Sequence, residues 1–142
     1  MSSEDVRVAI NLAVAEAAAP TAVYDLSDYV TLDDALGEID SEAVLVQYIA
    51  SDEQAVTIGG YQNQGWEETG SVVLHYMVPG GFNSASAVQK CDTMRKYLRG
   101  RRLSSSVVIE ACTPFSDSGG GLFSGNSHAW ISNLYYERRD CG

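Results

Sequence analysis

Residues 70–81 read Gly70-Ser71-Val72-Val73-Leu74-His75-Tyr76-Met77-Val78-Pro79-Gly80-Gly81. In an extended chain Val72, Leu74, Tyr76 and Val78 fall on one side and Ser71, Val73, His75 and Met77 on the other, the period of a half-buried strand. A proline and two glycines then force a sharp turn. Beyond it Asn83, Ser84 or Ser86 can cap a helix, and Ser86 to Gln89 has capping-box spacing. Val88, Cys91, Met94 and Leu98 give that helix an apolar stripe, and Gly100 ends it.

Upstream, residues 43–49 and 54–58 are β-branched and aromatic, with Ser51-Asp52-Glu53 reading as a turn between them. Gly59-Gly60 breaks the second run, and a polar loop through Tyr61 leads to Trp66 before the alternation resumes at Glu68. Three consecutive strands with short links imply an antiparallel meander. Before them, Ser2-Ser3-Glu4-Asp5 suits a helix start. Val6, Ile10, Ala13, Val14 and Ala17 recur at helical spacing until Pro20, which predicts a helix over 3–18. Residues 20–41 read as an acidic extended connector with a short helical turn near 32–36; Tyr24, Asp25, Asp28, Tyr29, Asp33 and Asp34 lie in it. Downstream come a strand over 106–112, a glycine-rich loop over 113–127, and a closing strand over 129–137 carrying Trp130, Ile131, Leu134, Tyr135 and Tyr136.

The order is therefore α-β-β-β-α-β-β, without βα alternation. It predicts a single α+β domain over 1–142: a mainly antiparallel sheet with two helices packed on one face. The chain of 142 residues is 45% apolar, enough for a core without staples. No stretch reaches the roughly 20 apolar residues of a membrane span, and the N-terminal run lacks a basic leader, so a cytosolic compartment without membrane attachment is expected. Three widely spaced cysteines without a CxxC pair argue against a zinc site or a disulfide framework. Cys91 and Cys112 read as small buried hydrophobes and Cys141 as a tail thiol.

The net charge of −10 is unevenly placed, residues 1–89 summing to −13 and residues 90–142 to +3. Six bases (Lys90, Arg95, Lys96, Arg99, Arg101 and Arg102) fall on the second helix and just after it. Such polarity suits head-to-tail or ring assembly, one copy's basic edge meeting the next copy's acidic edge; the plainer reading is a solvated acidic surface with one basic helix. Specific nucleic-acid binding is disfavoured by the acidic total. Catalysis finds little footing. His75 is mid-strand and His128 opens a strand, no nucleophile elbow fixes a serine, and the glycine run before Leu122 and Phe123 is followed by neither a lysine nor a helix. No enzyme activity, cofactor or metal is expected. A small enzyme using His75 or His128 is the distant alternative.

The N-terminal helix, the strand hairpin, the strand running into Pro79-Gly80-Gly81, the helix of about 15 residues and the closing strand pair together resemble the tail terminator (tail completion) proteins of long-tailed bacteriophages, of the lambda minor-tail type. The resemblance covers nearly the whole chain. It implies a hexameric ring in the tail-neck region of a virion, assembled in the host cytoplasm, that stops tail-tube polymerisation and joins the tube to the head-proximal connector. DNA would pass through the lumen without specific binding. On this basis Lys90, Arg95, Lys96, Arg99, Arg101 and Arg102 are expected at the subunit interface. Gly60, Tyr61, Trp66, Leu122 and Phe123 are expected in partner-docking loops, and Asp25, Asp28, Asp33, Asp34, Glu67 and Glu68 along an acidic lumen or interface. Another neck protein or a tail-tube protein is the alternative within the same class.

Overall fold

The computed structural model describes residues 3–19, 21–26, 42–57, 64–78, 84–117 and 128–140. Helix α1 (Glu4–Ala18) is followed by strands β1 (Ala22–Asp25), β2 (Ala43–Thr57) and β3 (Gln64–Val78), helix α2 (Ser84–Leu98), and strands β4 (Val107–Cys112), β5 (Ser116–Asp117) and β6 (His128–Asp140). With the two-residue β5 set aside, this is the α-β-β-β-α-β-β order of an α+β fold. The sheet runs β1-β2-β3-β6-β4, with β5 pairing β6. Every pairing is antiparallel except β1 with β2.

Three expectations are corrected. The segment read as an acidic extended connector with a short helical turn contains β1, which pairs in parallel with Ala43–Val46, and the three-strand meander reduces to the β2–β3 pair because residues 43–57 form one strand. Parallel neighbours need a crossover of a dozen or more residues, and residues 26–42 supply that length. The turn at Ser51-Asp52-Glu53 does not exist. These residues pair with Gly70, Thr69 and Glu68, and β2 continues past a single bulge between Tyr48 and Ala50. Polar side chains are tolerated there because most of this half of the strand is exposed. Trp66, expected at a loop end, lies inside β3, paired with Ala55 and Asp140.

One face of the sheet carries both helices. Val44, Val46, Val72, Leu74, Tyr76, Ile109, Trp130, Leu134 and Tyr136 point into the core, where they meet Val6, Ile10 and Val14 of α1 and Ala87, Cys91, Met94 and Leu98 of α2. The inward stripe of α2 begins at Ala87 rather than the expected Val88, which is half exposed. Gly100 ends the helix region with φ +69°, a left-handed conformation that glycine adopts at little cost. The residues of β3 alternate as their sequence requires: Met77 turns to the other face, where Leu45 and Ala129 join it under Tyr24 and Leu26. The C-terminal turn of α1 lies beside Ser86, Gln89 and Lys90 of α2, so the two helices run antiparallel.

Candidate assembly interface

Two buried polar clusters lock α1 to the sheet. Ser3 precedes the helix but its hydroxyl does not cap it. It donates instead to Oε1 of Glu68 at 2.7 Å, while Tyr136 Oη donates to Oε2 at 2.6 Å. A carboxylate at a helix N-terminus is electrostatically favoured. On the other flank, Asp25 accepts from Arg7 at 3.0 Å and from Asn11 at 2.8 Å, and Tyr48 Oη donates to Asn11 Oδ1 at 2.7 Å. Asp25 and Glu68 are both buried. This corrects their expected place along an acidic lumen or interface. Each is an internal anchor, because only desolvated partners of this quality offset the burial of a charge.

The remaining charges divide between internal pairing and the surface. Glu67 lies 3.5 Å from Arg139, which also pairs with Glu137. Lys90 reaches Glu42 at 3.1 Å, and the same carboxylate oxygen accepts from Tyr76. Arg95 and Lys96 both pair with Asp92 one turn away, and the two cations hold the Asp92 carboxyl below its ordinary range. Arg101 stacks on the Tyr97 ring at 3.7 Å and donates to the Tyr97 carbonyl. Arg102 donates to the carbonyl of Ser105. Arg99, Arg101 and Arg102 are exposed. The expected basic edge thus narrows to the C-terminal end of α2, where its own acids do not already neutralise it. Asp28, Asp33, Asp34, Gly60, Tyr61, Leu122, Phe123 and the side chain of His128 lie outside the described residues, as do Cys141 and the turn at 79–81.

The surface also carries apolar residues that the charge pattern concealed. Val8 and Leu12 are each about 60% exposed, and Ala15 continues their stripe on the outward face of α1. This helix is apolar on both sides, which is ordinary only for a helix covered on both. The second stripe, recurring at 8, 12 and 15, was present in the sequence beside the inward one. Ile49, Trp66, Val88 and Tyr135 are exposed as well.

The groups with nucleophilic or acid-base chemistry are placed differently. His75 is buried on the sheet face away from the helices, its Nε2 2.9 Å from Gln47 Oε1, and burial lowers its pKa to about 4. Burial pushes the Cys91 thiol up to about 12 and raises that of Cys112, so the reactive thiolate is disfavoured at both. Among the described residues, no helix is long and apolar enough to cross a membrane, and no three His, Cys, Asp or Glu side chains are grouped to hold a metal ion. No protein-family model matches the chain, and no curated protein matches its sequence.

Proposed function

We propose that the protein is a virion structural component of the tail-terminator kind: copies form a ring that caps a phage tail tube, stops its polymerisation and joins it to the head-proximal connector. The observation that carries this reading is the spread of exposed apolar side chains over separate flanks, with Val8 and Leu12 one turn apart on one helix face. Single exposed apolar residues are ordinary, whereas a paired stripe marks a contact surface. A ring subunit meets two neighbours and two further partners, the tube protein and the connector, and so needs apolar contacts on several sides. The α-β-β-β-α-β-β order, on which the resemblance rests, supports the same reading. So does the placement of acids at the start of α1 and of exposed bases at the end of α2.

Another neck component or a tube subunit would share these surfaces. Negative-stain imaging of the purified protein separates them: a terminator gives closed single rings, whereas a tube subunit gives filaments. An enzyme built on His75 would have to work from a buried, weakly basic imidazole. Monomeric particles that turn over a substrate would favour it over assembly.

A further inference from the structure

We infer that the outward stripe of α1 docks, in a second copy of this chain, on the flank of α2 that faces away from α1. This contact deepens the ring reading and rests on it. On the donor side, Val8, Leu12 and Ala15 form the apolar line, edged by the exposed acids Glu4, Asp5 and Glu16, of which Asp5 pairs with Arg138 and Glu16 accepts from Tyr97. On the acceptor side, Val88 is 51% exposed beside a groove lined by Gln89, Cys91, Asp92, Pro114, Phe115 and Trp130. Further along the same flank stands Arg95, already paired with Asp92, and then the exposed Arg99.

The two surfaces match in chemistry, length and direction. Glu4 to Ala15 and Val88 to Arg99 each span twelve residues, about 16 Å end to end. Laid antiparallel, α1 sets its acidic N-terminal turn against Arg99 of the neighbouring copy and carries Leu12 and Ala15 onto Val88 and the groove. The N-terminal end of one helix then lies beside the C-terminal end of the other, which their dipoles favour. Glu4 meets Arg99 at one end of the line, and Leu12 and Ala15 meet the groove and Val88 at the other; the reverse direction would put Glu4 on the groove and leave Arg99 facing Ala15. Direction decides the assembly type. The helices of one copy are already antiparallel, so an antiparallel α1–α2 contact between copies leaves every copy pointing the same way. The contact joins two different patches and is therefore heterologous, the kind that closes into a ring when the rotation allows.

Mixing two one-sided variants tests this. Leu12→Lys disables the donor face and Val88→Glu the acceptor face. Both positions are exposed, and circular dichroism checks that each variant folds. The wild-type chain should assemble, and each variant alone should associate about 30-fold more weakly or worse, the scale of a lost hot spot. An equimolar mixture of the two should give a two-chain species by light scattering, because one intact donor face and one intact acceptor face remain. Variants that assemble as the wild type does would overturn the interface while leaving the ring reading standing, and so would a mixture that stays monomeric. A wild-type chain that is monomeric throughout would overturn both.

Discussion

Tyr136 lies flat across Gly70, its cross-strand partner, so closely that a Cβ at position 70 would fall 2.5 Å from the tyrosine hydroxyl. That hydroxyl is also the group that donates to Glu68 at 2.6 Å. The missing side chain at 70, the ring at 136 and the buried carboxylate at 68 therefore form one unit on the helix-covered face, closed by Ser3 at the start of α1.

Gly70→Ala should destabilise the protein by about 1–3 kcal/mol, the range for overpacking a filled site. The ring must move, and its hydroxyl moves with it. Denaturant unfolding monitored by circular dichroism gives the value, and a change within error of zero would mean that the ring can shift freely.

Tyr136→Phe keeps the ring but removes one donor from a buried carboxylate. A loss of about 1.5–3 kcal/mol is expected for a hydrogen bond to a charged group. Ser3→Ala should cost less, because Ser3 is half-buried and water can replace its hydroxyl.

Asp25→Ala should cost about 3–5 kcal/mol, since it removes the buried carboxylate that accepts from both Arg7 and Asn11. Amide hydrogen exchange in β1 should rise with it, because the Asp25 contacts tie this four-residue edge strand to α1.

His75 gives the stability a pH dependence. Its pKa is about 4 when folded against an ordinary 6.5 when unfolded, so the unfolded chain binds the extra proton between these values. Stability from neutral burial is therefore complete above pH 6.5 and drains away as the pH falls toward 4, by up to about 3 kcal/mol. His75→Gln should flatten the stability profile between pH 4 and 6.5 relative to the wild type. Identical slopes would show that His75 does not titrate with this shift.

What the sequence made legible follows from how far each feature depends on distant contacts. The alternation through Val72, Leu74, Tyr76 and Val78 and the inward stripe of α1 are local periodicities, and both stand in the fold. Ala22–Asp25 is too short, at the head of an acidic stretch, to read as a strand; it becomes one because β2 offers an edge and Arg7 and Asn11 hold Asp25. Ser51-Asp52-Glu53 carries turn chemistry locally, and the ladder with Gly70, Thr69 and Glu68 overrides it. Glu68 looked like one more acid in an acidic chain. Its role depends on Tyr136, 68 residues away, which no spacing announces. At the candidate interface the bases of α2 were legible as residues, but not which of them are neutralised at home by Glu42 and Asp92. The outward stripe at Val8 and Leu12 was legible and was masked by the stronger inward one.

Light scattering of the wild-type chain across a wide concentration range bears most directly on assembly. Ring formation predicts one species of fixed mass, an integral multiple of the 15.3 kDa chain, that persists on dilution. A mass of 15.3 kDa at every concentration would contradict it, and so would a mass that climbs without limit.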